Sequence, residues 1–508
     1  MLGITRPAWA VFGVTPTVEA MTITQTTSPG GAAATRRAIA NTLKGSAGNL
    51  IEWYDLYVYA AFSAYFATYF FSTKDPVQAQ IDAYLTFALT FLMRPVGSWF
   101  FGRYADRHGR RAALTLSVSL MGVGSLLVAV LPGVAQIGVW STVLMYASRL
   151  LQGFSVGGEY GTSATYMSEV ATAKRRGFFS SFQYVTLVGG QVLALLSLII
   201  LQATLGEADL KAWGWRIPFA VGAAAALIVL WLRRTMDETI SKEQVAAAKG
   251  HGAAAAGDGG EFEAVQPGTL KLLFTKHWKP FVIVVFLTMG GTCAFYLYTT
   301  YILSFMNNVS HIPKTQTSVI NFWALFVFML LQPVFGLLSD KLGRKPQLII
   351  FGVLGAVFTW PIMSTLAGVK DPMVAFWLML AGLVIVVNYT SISALVKAEL
   401  FPSSVRALGV GLGYAVANSL FGGTVPFIGE WLSSAGHKEW LFTYVTITIV
   451  ISLVVYIFFL PNKKHTPLDH EFGAAYGELP VAMPVGAGSA KGTADSADDD
   501  GREPSRLG

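Results

Sequence analysis

Twelve apolar runs, each long enough to cross roughly 30 Å of hydrocarbon as a helix, recur along this 508-residue chain. They fall near 45–70, 83–102, 112–131, 137–165, 178–203 and 215–232, and again near 280–306, 318–338, 347–367, 373–396, 407–431 and 440–460. A bilayer offers no water to an unpaired backbone group, so such runs are helices that satisfy their own N–H and C=O groups. Only 13% of the residues are charged, against roughly 25% in a soluble domain, so the apolar surplus needs lipid as its solvent. The expected class is an all-α membrane protein with twelve transmembrane helices.

The runs divide into a bundle at 41–234 and a bundle at 277–460, joined by 235–276, an Ala-, Gly- and Lys-rich stretch that reads as a cytoplasmic linker. Residues 1–40 and 461–508 read as disordered tails, the second Gly-, Pro- and Asp-rich through Asp498–Asp500. Ala8–Val14 is too short for a cleaved signal and lacks a basic flank; the chain starts at Met1 or at Met21. The net charge of +7 sits mostly in short loops, which makes it a topology signal rather than a nucleic-acid footprint. The four loops after spans 2, 4, 8 and 10 hold twelve Lys and Arg, and the six loops on the other face hold six. That asymmetry places both termini in the cytoplasm.

Two segments repeat across the linker. Gly102-Arg-Tyr-Ala-Asp106-Arg-His-Gly109-Arg110-Arg111 follows span 2, and Gly336-Leu-Leu-Ser-Asp340-Lys-Leu-Gly343-Arg344-Lys345 follows span 8. Glu169 precedes Arg176 by seven residues after span 4, as Glu399 precedes Arg406 after span 10. Offsets of 234 and 230 residues imply two six-helix halves in parallel orientation, with the substrate path at their interface. In these loops Asp106 and Asp340 can accept from a neighbouring helix N-terminus or from Arg. Arg110, Arg176, Arg344 and Arg406 can pair with Glu169 or Glu399 as a latch on the cytoplasmic face. The alternative is a turn with topogenic charges.

The loop pattern G-x-x-x-D-R-x-G-R-R resembles the signature of the major facilitator superfamily. Longer runs resemble its metabolite:proton symporters, most closely the α-ketoglutarate permeases: GNLIEWYD at 48–55, FLMRPVG at 91–97, SVGGEYGTSATYMSE at 155–169, WGWRIP at 213–218 and VRALGVGLGY at 405–414. The similarity spans about residues 40 to 460. It implies a proton symporter of the bacterial inner membrane that imports a small carboxylate, 2-oxoglutarate above all, with an osmolyte or other metabolite of the same family as the alternative substrate. A membrane sensor on a transporter fold is the reading from another class, and the linker and tail look too sparse for its signalling domain.

Ionisable groups at bilayer depth are costly and usually functional. Here they are Glu52 and Asp55 on span 1, Arg94 on span 2, and Arg149 and Glu159 on span 4. All seven histidines sit in loops, linker ends or the tail, and spans 9, 10 and 12 lack carboxylates. Proton coupling is therefore expected from first-half carboxylates. At about 1.5 Å per residue, Asp55, Arg94 and Arg149 fall near the midplane. Asp55 with Arg149 is assigned as the coupling pair, the alternative being a fixed ion pair that orders spans 1 and 4; Glu52 and Glu159 are further proton sites. A span-1 Asp and a span-4 Arg are placed similarly in the resembling sugar porters. Arg94 is assigned to the substrate carboxylate, because a guanidinium matches it with two parallel hydrogen bonds; its rival role is to pair with Glu52 or Glu159. Tyr184, Gln191, Tyr296, Tyr298, Thr299, Asn388, Tyr389, Ser391 and Asn418 are neutral cavity candidates, any of which could instead tie helices together. Lys397 is a further option at the cytoplasmic end. The sole cysteine, Cys293, forms no disulfide or metal framework and reads as a core residue. No nucleophile–base pair, metal cluster or nucleotide loop appears, so neither an enzyme nor a cofactor is expected. The partners are protons, a small anionic metabolite and lipid, with no nucleic acid, and the chain is expected to act as a monomer.

Overall fold

A computed structural model describes residues 31–71, 75–108, 110–170, 175–234 and 270–460, without side chains over 31–47 and at some helix ends. Among the described residues the chain makes twelve helical traverses. In the first half these are Gly31–Phe70, Pro76–Leu92 continued by Arg94–His108, Arg110–Val130, Trp140–Val156 continued by Glu159–Val170, Arg176–Thr204, and Arg216–Arg234. In the second they are Trp278–Asn308, Lys314–Leu342, Arg344–Gly368, Pro372–Glu399, Val405–Ser434 and Lys438–Phe459. Among the described residues, eight helices are long and apolar enough to cross a membrane singly, and a ninth span counts if Glu207–Gly214 and Arg216–Trp231, bent by 45°, are one. Span 1, carrying Glu52 and Asp55, and spans 2 and 4, each interrupted midway, fall short of that test.

Local chemistry sets the starts and breaks. Asp75 and Asp371 cap spans 2 and 10, accepting from the Val77 and Met373 N–H groups at 2.9 and 2.8 Å, with Pro76 and Pro372 at the first helical position. Span 2 breaks at Met93, before Arg94 and Pro95. Pro95 cannot donate to the carbonyl of Phe91, four residues back; the Ser419 hydroxyl of the other half donates to it instead. Span 4 breaks at Gly157 and Gly158. A Cβ on Gly153 or Gly157 would lie 1.9 Å from the Thr90 carbonyl oxygen or 2.2 Å from that of Arg94, so spans 2 and 4 pack backbone to backbone.

Two boundaries differ from the sequence expectation. Span 1 is already helical at Gly31, the first described residue, inside the stretch read as a tail, because this Ala-rich segment favours helix although it is too polar to count as an apolar run. A short helix, Leu270–Lys276, lies inside the stretch read as linker, with Leu273 buried. The rest of the linker, 235–269, and the tail from 461 lie outside the described residues.

The halves meet closely at the end that carries the basic loops. A Cβ on Gly177 of span 5 would lie 2.5 Å from the Gly336 carbonyl oxygen of span 8, and one on Gly161 of span 4 would lie 2.6 Å from the Ala407 carbonyl oxygen of span 11. Toward the opposite end a cavity of about 160 Å³ opens between the halves, with Ser63, Gln80 and Gln202 on one wall and Ser304, Lys314 and Glu430 on the other.

Candidate functional site

Arg94 sits where span 2 breaks, and only 3% of it is exposed. Its guanidinium lies over the Phe91 ring at 3.8 Å and the Trp53 ring at 5.0 Å. Its Nε and Nη2 have no hydrogen-bond partner among the described residues. The hydroxyls of Tyr57 and Tyr296 lie beside it, near enough to interact with it and with each other, but make no well-aligned hydrogen bond among the described residues. A buried guanidinium with spare donors, beside spare hydroxyls at an interface between halves, is an incomplete polar network. A planar acceptor such as a carboxylate would complete it.

A second network lies deeper in the first half. Asp55 accepts from the Ser125 hydroxyl with one carboxylate oxygen and from the Gln152 amide at 2.7 Å with the other. Gln152 turns its amide oxygen to Arg149 Nη1 at 2.5 Å, and the Arg149 guanidinium stacks over Tyr59 at 4.2 Å. Asp55 and Arg149 are thus brought together through an amide instead of in the direct ion pair that their types suggest. Gln152 has this position because it is three residues beyond Arg149, on the same helix face. Glu52 is buried one turn from Asp55.

The neutral candidates separate. Tyr296, Tyr389 and Tyr414 each lie within electrostatic reach of Tyr184. Asn418 accepts from Thr292 and lies beside the Tyr414 hydroxyl. Gln191 donates to the Thr299 carbonyl across the interface at 2.7 Å. That carbonyl belongs to a π-helical turn, Leu297–Tyr301, matched in span 11 by Asn418–Gly422; such turns recur at functional sites. Tyr298 instead packs into its own half against Gly382, and the Asn388 amide bonds back to Val384 and Ile385 of its own helix. The structure does not bring these two into the cluster. Ser391 is engaged by Gln347.

At the basic end, Asp340 accepts from the backbone N–H groups of Gly177 at 2.8 Å and Phe178 at 3.1 Å. Arg344 stands 3.1 Å from Asp340 and 3.6 Å from Glu399. Arg406 caps the end of span 10 through the Ala398 and Phe401 carbonyls, and Arg176 is buried at the start of span 5. The side chains of Asp106, Arg110, Glu159 and Glu169 lie outside the described residues.

Sequence reasoning misses several residues here. Gln152, Ser125, Tyr57, Tyr160 and Tyr414 carry no signal that separates them from ordinary helix contacts. Glu430 corrects the restriction of carboxylates to the first half: it is buried on span 11 and accepts from Ser304 and Asn308, both at 2.7 Å. Its place near the end of an apolar run conceals its burial. Lys397 is fully buried, with its ammonium 2.7 Å from the Ser393 hydroxyl. The sequence places it at the end of span 10, but side chains on a helix lean toward its N-terminus, which carries the ammonium back into the bundle.

The profile of the sugar (and other) transporter family matches residues 42–471. The chain belongs to the major facilitator superfamily. This major facilitator is 48% identical over 421 residues to the alpha-ketoglutarate permease of Escherichia coli (strain K12), covering 83% of this chain and 93% of that one. It is 31% identical over 393 residues to the citrate-proton symporter of Salmonella typhi, with 76% and 85% covered. It is 28% identical over 430 residues to the glycine betaine/proline/ectoine/pipecolic acid transporter of Dickeya dadantii (strain 3937), with 84% of each covered. The structure of a major facilitator proton:xylose symporter bound to 6-bromo-6-deoxy-D-glucose superposes with a TM-score of 0.65 at 20% identity, over 86% of this chain and 98% of that one. The chain is therefore a multi-pass membrane transporter with the twelve-helix, two-half fold, and not an enzyme.

Proposed function

We propose that this transporter is a proton symporter that imports a small dicarboxylate, 2-oxoglutarate, across the bacterial inner membrane by alternating access. The observation that carries the reading is Arg94: a buried guanidinium with two donor atoms unfilled among the described residues, beside the phenols of Tyr57 and Tyr296 from the two halves. The identity with a permease for the same dianion supports it. A zwitterion such as a betaine would need a buried acid presented to its cationic end. Asp55 already accepts from Ser125 and Gln152, Glu430 accepts from Ser304 and Asn308, and Glu52 is engaged as well, which disfavours that substrate.

In this reading both termini are cytoplasmic, so the closed end is the cytoplasmic one and the cavity between Gln80 and Glu430 faces outward. The substrate enters there, its carboxylate takes the spare donors of Arg94, and the fork closes on it. Asp55, Gln152 and Arg149 form the coupling element. Protonation of Asp55 would remove its charge and loosen the Gln152 bridge to Arg149. A dianion entering with one proton still carries net charge −1, opposed by roughly 2.3 kcal/mol per 100 mV of inside-negative potential. A second proton makes the step electroneutral, and Glu52 and Glu159 are the groups proposed for it. The latch of Asp340, Arg344 and Glu399 opens to release substrate, with Asp106, Arg110, Glu169, Arg176 and Arg406 in the same face, and one chain suffices for the path. The test is uptake of radiolabelled 2-oxoglutarate into proteoliposomes with an acidic exterior. Uphill accumulation that collapses with a protonophore is expected; no proton-dependent uptake would overturn the reading.

A further inference from the structure

Lys397 is a fully buried ammonium with no carboxylate at ion-pair distance among the described residues. Such a charge is rarely left without an anion, because neutral hydroxyls replace only part of its lost hydration. Its three N–H donors meet the Ser393 hydroxyl at 2.7 Å and, weakly, the Tyr160 hydroxyl at 3.4 Å. One donor is left over. Three rings face the ammonium, Tyr414 at 4.5 Å, Tyr160 at 5.5 Å and Tyr389 at 5.7 Å, and ring faces recover part of the desolvation cost. The Tyr389 hydroxyl lies near Ser393 and Thr288 but makes no well-aligned hydrogen bond among the described residues.

The place of this group matters as much as its charge. Tyr160 comes from the first half and Tyr414 from the second, and they stack across the interface with centroids 3.5 Å apart at 9°. Tyr414 links the two buried cations: Lys397 lies over its ring, and Arg94 acts electrostatically on its hydroxyl. Arg94 and Lys397 therefore flank one aromatic cluster, one contributed by each half.

We propose that Lys397 is the second carboxylate contact of the transport path, so that Arg94 holds one end of a dicarboxylate and Lys397, among Tyr160, Tyr389 and Tyr414, holds the other. This rests on the reading of Arg94 as the first contact. A single anionic group satisfies one cation and leaves the other unpaired, so the pair selects diacids over monoacids of the same length. A ligand held by a residue from each half also draws the halves together, which is what occlusion requires.

The experiment measures binding of 2-oxoglutarate, and of its monoamide in which the distal carboxylate is neutral, to purified wild type and to Lys397→Met. Wild type is expected to prefer the diacid by roughly tenfold or more. Lys397→Met is expected to lose that preference while binding the monoamide within about twofold of wild type. An unchanged preference would assign Lys397 a structural role and overturn the proposal, as would an equal loss for both ligands. If Lys397→Met does not fold, Ser393→Ala, which frees the ammonium from its 2.7 Å partner, carries the test. It should weaken the diacid selectively, and an unaltered ratio counts against the proposal. Should wild type bind neither acid, the reading of Arg94 fails first, and that result is distinct from a wild type that binds both equally.

Discussion

Asp340, at the basic end of span 8, caps the first turn of span 5 by accepting from the backbone N–H of Gly177 at 2.8 Å. One half of the transporter thus closes a helix end of the other, where a carboxylate is favoured by the helix dipole. Asp340→Asn keeps the shape and removes the charge. The expected result is a maximal uptake rate several-fold lower with a half-saturation constant changed less than about twofold, because the group biases conformations without touching substrate. Initial rates over a substrate series check this; an unchanged maximal rate with a raised half-saturation constant would contradict the latch.

The same contact is constrained by size. A side chain on Gly177 would collide with the Gly336 carbonyl oxygen at 2.5 Å. Gly177→Ala should hold the basic end open and cut transport by roughly tenfold, since packed backbones yield little. Thiol labelling at Ser181→Cys, beside the same contact, should rise; the native Cys293 is buried and adds little background. Gly206→Ala, whose Cβ meets nothing within 4 Å, is the control and should transport normally.

Arg94→Lys preserves the charge but not the planar fork. A point charge cannot give two parallel hydrogen bonds to one carboxylate, and it loses the stacking on Phe91 at 3.8 Å. Uptake is expected to drop by about tenfold or more, with normal amounts of protein in the membrane. Near-wild-type uptake would remove Arg94 from the site.

Asp55→Asn should abolish proton-driven accumulation and leave substrate exchange intact. Exchange needs only reorientation of the loaded carrier, whereas net accumulation needs a group that takes and releases a proton. Gln152→Leu should show a weaker form of the same split, because Gln152 carries the contact from Asp55 to Arg149. Vesicles loaded with unlabelled substrate report exchange, and an imposed acidic exterior then reports uphill uptake. Uphill uptake by Asp55→Asn at the wild-type level would make Asp55 a structural partner of Arg149.

The sequence alone determines the traverses, their pairing into halves and the burial of Asp55, Arg94 and Arg149, though not that of Glu430 or Lys397, because each follows from local rules. A run of apolar residues must be a helix in lipid, Asp-Pro opens one at Asp75 and Asp371, and a repeated loop marks a repeated half. Tertiary structure alone decides which polar atoms meet. Gln152 stands between Asp55 and Arg149 because spans 1 and 4 converge there. Tyr298 turns into its own half at Gly382, while Tyr296, two residues earlier, faces Arg94. Lys397 reaches the aromatic cluster because a flexible side chain leans back along its helix. Partners of this kind lie on separate helices, and their distances depend on crossing angles and on small residues such as Gly157 that set how near two backbones come. One-dimensional periodicity fixes which face a residue occupies, but the facing helix and its depth are set only when the twelve traverses pack.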